Sequence, residues 1–129
     1  MSLVFCIATS GALCEAQFKG VDLVSMVQLI ATPEKYDGKT IIVVGFLHLE
    51  REGNILYLNK TDYDHAITKN GLWIVRNSKI NENIEKLNLH YAMISGTFDA
   101  WNKGHMSLAS GAIKDITGAD TWPDTIIRK

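Results

Sequence analysis

Seven side chains between Phe46 and Arg76 have the types and spacing of a binding surface. Phe46, Tyr57 and Trp73 are flat apolar rings on which a base or a partner side chain can stack. Arg51, Lys60 and Arg76 are cations that can meet a phosphate or a carboxylate. His48 sits among them as a ring that also hydrogen-bonds. Tyr91, Trp101 and Lys103 continue the same two chemistries further along the chain. Rings interleaved with cations are what single-stranded nucleic acid requires of its binding groove. Glu50, Glu52, Asp62 and Asp64 oppose that reading, because they bring negative charge into the same stretches while every phosphate contact needs a cation. Interleaved aromatic and charged groups also suit a protein interface. The favoured expectation is therefore recognition of a protein or small ligand, self-association included, with single-stranded nucleic acid as the alternative.

Metal ligation and catalysis are weaker readings of the same residues. Four histidines (His48, His65, His90, His105) and the Asp62-x-Asp64-His65 cluster offer nitrogen and oxygen ligands, but no HExxH or paired HxH spacing brings them together. A lone strand histidine is more often a half-exposed packing residue. Hydrolysis or redox chemistry needs a nucleophile with a base in reach, or a nucleotide loop. The chain has no GxSxG, GxGxxG, P-loop or CxxC. Ser107, Ser110 and His105 are near one another in sequence, which does not make a triad. The expectation is a protein that is not an enzyme and uses no cofactor and no metal.

Composition narrows the class. With 129 residues the chain is sized for one domain, and 13 basic against 14 acidic residues (net charge −1) give no general attraction for nucleic acid or anionic lipid. No apolar run reaches the roughly 18–20 residues that span a bilayer. Cys6 and Cys14 are the only thiols. They can form one disulfide in an exported chain, or be two small side chains of no special role. Leu3 to Ala16 is apolar and rich in small residues, and Cys14-Glu15-Ala16 has a small-x-small form. Residues 1–16 are accordingly either a signal-sequence remnant, which implies an exported or periplasmic protein, or a first strand at Val4–Thr9 of a cytoplasmic one.

The elements that must position the candidate side chains are mostly strands. Val21 begins a helix whose Leu23, Met26, Val27 and Ile30 share a face, and Pro33 ends it. Thr40 to Glu50 is the first long strand: Ile41-Ile42-Val43-Val44 is apolar on both faces, and Gly45 marks a bend. Arg51 to Asn54 turns the chain, and Ile55 to Asn59 returns with Ile55 and Tyr57 on one face and Leu56 and Leu58 on the other. The polar stretch Lys60–Gly71 holds one short helix through Ile67, capped by Thr61 or Asp62. Leu72 to Arg76 is a short strand carrying Trp73, and Asn77 to Asn88 a surface helix. Leu89 to Trp101 is a long strand with Ala92, Ile94, Gly96 and Phe98 on one face and Tyr91, Met93, Ser95 and Thr97 on the other. His105 to Ile116 pairs back with a kink at Gly111, and Thr117 onward is a tail.

This order of strands, glycines and an intervening helix resembles the OB-fold between Gly38 and Ile116. GKTIIVVGFL and YAMISGTFDAWNKGHMSLASGAIKDI look like its bent first strand and its last hairpin. The strings LIATPEKYDGK, LHLEREGNILYL and KGHMSLASGAI also resemble those of a group of small bacterial proteins whose function is uncharacterised. The resemblance implies a mainly β (α+β) fold: a five- to six-stranded Greek-key barrel with two or three short helices, filling residues 17–129 as a single domain. It implies no activity, because that fold hosts many functions.

Overall fold

Thr40–His48 (β2) is the strand on which the rest closes. Its β-branched run favours extended backbone, and one strand serves two neighbours. Thr40 to Leu47 pair antiparallel with β5 (His90–Asp99), while Phe46 to His48 pair antiparallel with β3 (Ile55–Tyr57). Pairing with β3 begins just past Gly45. A Cβ there would collide with the Tyr57 carbonyl, the Leu56 side chain and the Met26 methyl, so only glycine lets β3 cross so closely. The computed structural model describes residues 21–123.

β3 pairs antiparallel with β4 (Gly71–Ile74), which pairs parallel with β6 (Ala112–Thr121), and β6 returns antiparallel along β5. The ring β2-β3-β4-β6-β5-β2 is a closed five-stranded barrel, an arrangement compatible with an OB-like barrel. A two-residue strand, β1 (Asp22–Leu23), lies outside it, parallel to Ile41–Ile42. Closure leaves few exposed sheet edges.

Alternation along each strand fills the interior with Ile41, Val43, Leu47, Leu56, Ile94 and Phe98, all nearly inaccessible. The described residues form four helices, three of which bury side chains in this core. They are α1 (Met26–Ala31), α2 (Lys60–Asp64), α3 (Ser78–Asn81) and α4 (Ile84–Leu87). α1 buries Met26 and Leu29, α3 buries Ile80, and α4 buries Leu87. α3 and α4 fill the connection between β4 and β5, where the sequence places its surface helix.

Several boundaries differ from the sequence expectation. The first helix starts at Met26, capped by the Ser25 hydroxyl on the Gln28 amide, because Asp22 and Leu23 instead pair with β2. Leu23 and Val27, expected on its buried face, are 65% and 58% exposed, and Leu29 is buried in their place. The β2 strand ends at His48, not Glu50, and β3 ends at Tyr57, not Asn59. The helix of the polar stretch ends at Asp64, and its cap is Asn59, whose Oδ1 accepts the Asp62 amide. β4 runs Gly71–Ile74 where Leu72–Arg76 was expected. The surface helix is split at Asn83, which has φ −129° and ψ 25°. The last strand begins at Ala112 instead of His105 and continues through Thr121, across what reads as a tail. The suggested signal remnant or first strand, both cysteines, the connector 17–20 and residues 124–129 lie outside the described residues.

Candidate binding surface

Outward residues of β2, β3 and β4 gather in a second apolar cluster on the barrel wall: Phe46, Ile55 and Tyr57, flanked by Trp73, Tyr91 and Tyr63. The period of two along each strand does this, since Phe46 lies opposite Tyr57 and Ile55 opposite Trp73. The strand faces therefore bring together Phe46, His48, Tyr57 and Trp73 of the seven candidates. The platform is nevertheless already covered. Tyr63 of α2 lies over it, with ring centroids 5.3 Å from Phe46, 4.9 Å from His48 and 5.5 Å from Tyr57. Tyr91 meets Phe46 edge-on at 5.3 Å, and its hydroxyl accepts the Lys60 amide at 3.0 Å, which ties α2 to β5. Phe46 and Tyr57 are left only 4% and 6% exposed, so neither ring can stack on a ligand in this conformation. Trp73 is half-buried, and Gly104, at φ 74°, lies so close to its indole that a Cβ would enter the ring.

The polar candidates have structural partners as well. The His48 Nε2 stands 3.2 Å from the Glu50 carboxylate. The Lys60 ammonium pairs with Asp64 one helical turn on, at 3.1 Å. Arg76 donates through Nε to the Asn81 side chain at 2.8 Å and through Nη1 to the Glu50 carbonyl and the buried Asn54 side chain, bracing the β2–β3 turn. Arg51 stands exposed on that turn.

The histidines do not converge. The His65 Nδ1 is bonded to the Thr61 carbonyl and the His90 Nδ1 to the Asn88 carbonyl, while His105 is exposed on a different loop. Among the described residues no three His, Cys, Asp or Glu side chains form a group able to hold a metal ion. Ser110 donates its hydroxyl to the Lys69 carbonyl at 2.6 Å and so has no base to activate it.

Burial pushes the Tyr57 hydroxyl above its ordinary value of 10.0, and the nearby Tyr63 and Glu50 push it the same way. The folded protein thus favours the neutral phenol. Its contribution to stability is complete below pH 10.0 and is lost as pH rises through the higher folded value. Denaturant melts should show unfolding free energy falling above pH 10, with a smaller fall in Tyr57→Phe. An equal fall in both proteins would assign the effect to other groups.

Beside Leu23, Val27, Ile67, Val75 and Leu89, three exposed large apolar side chains lie on one loop, residues 100–111 between β5 and β6. Trp101 is 76% exposed, Met106 79% and Leu108 39%. This loop is far from slack. Asp99 Oδ1 accepts the Trp101 and Asn102 amides, Asp37 Oδ1 accepts the Ala100 amide, and Ala109 is fully buried beneath the loop. Its backbone carries Met106 and Ser107 in succession at φ 55°, a left-handed conformation that costs roughly 1–2 kcal/mol for each such residue. Sequence reasoning missed Tyr63, which lies inside a polar stretch with no periodicity to place it. It set the candidate ring Trp101 at the end of a strand, whereas β5 ends at Asp99 and Trp101 stands on the loop.

No protein-family model matches the chain, and no curated protein matches it. Among the described residues no helix is long and apolar enough to cross a membrane.

Proposed function

We propose that the protein is a non-enzymatic binding module that recognises a protein partner through the β5–β6 loop, with Trp101, Met106 and Leu108 as its contacts. One observation carries this reading: three large apolar side chains stand in solvent on a loop whose backbone is pinned in a costly conformation. Aromatic residues and methionine are enriched at interface centres, and a pre-ordered loop loses less entropy on binding. Strain held at a surface loop is also a recurrent property of functional sites.

Single-stranded nucleic acid fits the arrangement less well. The rings that would form its platform are packed against Tyr63, and Lys60 and Arg76 already hold partners. Arg51, Trp101 and Lys103 remain as the groups that reading needs. The test is titration of a fluorescent single-stranded oligonucleotide, beside capture of proteins from the source organism by the immobilised chain. Expected is no oligonucleotide binding at about 50 mM salt, and a captured protein that still binds at about 200 mM. Oligonucleotide affinity that falls steeply between those salt concentrations would replace the protein-partner reading with the nucleic-acid one.

A further inference from the structure

One ammonium group ties the middle of the β5–β6 loop to the turn before β4. Lys69 closes the short 3₁₀ turn Thr68–Asn70, just before β4, and its Nζ donates to two backbone carbonyls of the loop, Ser107 at 2.7 Å and Ala109 at 3.2 Å. Those residues are two apart in sequence. Their carbonyls reach one cation because Met106 and Ser107 turn the chain through the left-handed region just before it. The connection also runs the other way: the Ser110 hydroxyl donates to the Lys69 carbonyl at 2.6 Å, and the Ser110 amide donates to the Gly71 carbonyl at 3.0 Å. The anchor itself is firm, since the Asn70 carbonyl accepts the Leu58 amide and the Asn70 side chain donates to the buried Asp62 carboxylate.

We propose that Lys69 is a positioning residue. Its ammonium selects the left-handed turn at Met106–Ser107 and thereby sets how Met106 and Leu108 are presented to a partner. The inference rests on the reading of the β5–β6 loop as the recognition surface. The physical reason is the balance at the turn. An unstrained chain would leave the left-handed region, and hydrogen bonds from a charged donor are among the few local interactions strong enough to oppose that. The Lys69 ammonium bonds to loop carbonyls, so it acts on the partner through the loop backbone.

Hydrogen exchange separates this role from general stabilisation. The Ser107, Leu108 and Ala109 amides donate within the loop, to the carbonyls of Gly104, His105 and Lys103, and report directly on the turn. In Lys69→Ala their exchange should rise on the order of tenfold, while amides of the β2–β5 ladder stay as protected as in the wild type. Lys69→Arg, which keeps a charged donor of similar reach, should restore most of the protection. Unchanged exchange at the three amides, or a rise spread equally over the barrel, overturns the proposal. Capture of the partner is the second readout. Loosened amides with reduced capture support both ideas. Loosened amides with capture as strong as the wild type's keep Lys69 as the latch and remove the loop from the recognition surface.

Discussion

Phe46→Ala should destabilise the protein by about 3 kcal/mol, the lower part of the range for truncating a buried phenylalanine. Phe46 is only 4% exposed and touches the rings of both Tyr63 and Tyr91. Its truncation removes those contacts and leaves a hole between β2 and α2. The lower figure is chosen because Tyr63 and Tyr91 are half-buried and can close partly over the gap, whereas the ring of Phe98 in the barrel interior has no such freedom. For a domain of this size the melting temperature should fall by roughly 10 °C, measured by calorimetry or circular dichroism. The prediction decides what the aromatic wall is. If the rings are a packed support, Phe46→Ala loses stability first and any binding loss follows from it. A variant that melts like the wild type would mean the wall stands open, and the stacking-platform reading would return.

Tyr63 explains why that question could not be answered from residue types. The alternation in β2 and β3 correctly places Phe46, His48 and Tyr57 on one face and Leu56 on the other, because strand period alone determines the facing. Whether the face is free depends on where a five-residue helix lands, and that helix has no apolar periodicity to read. It is positioned by its Asn59 cap, by the Tyr91 hydroxyl, and by Asp62 bonding to Asn70, all long-range or irregular contacts.

The barrel was legible for a different reason. A β-branched run interrupted by Gly45, and the alternation of Ala92, Ile94, Gly96 and Phe98, are local signals that agree with the final pairing. The last strand was harder. Its outer half, Thr117 to Thr121, has small and polar residues, and it is extended because β5 offers a partner as far as Ala92. Its expected beginning at His105 fails because Gly104, Met106 and Ser107 all take positive φ, which keeps that stretch out of extended backbone. The same tertiary override converts Asp22–Leu23 from helix to strand.

Trp101 is the residue whose loss should separate binding from folding. It is 76% exposed, its amide is held by Asp99, and its indole covers nothing in the core. Trp101→Ala should change the unfolding free energy by no more than about 0.5 kcal/mol, as for other surface truncations. An exposed tryptophan at the centre of an interface contributes far more to the complex, typically at least 2 kcal/mol, so affinity for the captured partner should drop by roughly 30-fold. Titration calorimetry with the captured protein measures this directly. Trp73→Ala is the control with the opposite pattern: that ring packs against the second cluster and beneath Gly104, so its loss should appear mainly in the melt. Full affinity in Trp101→Ala would move the interface off the β5–β6 loop. Intact stability with lost affinity would instead place the Trp101 indole within the interface, on the loop whose backbone Met106 and Ser107 turn through the left-handed region.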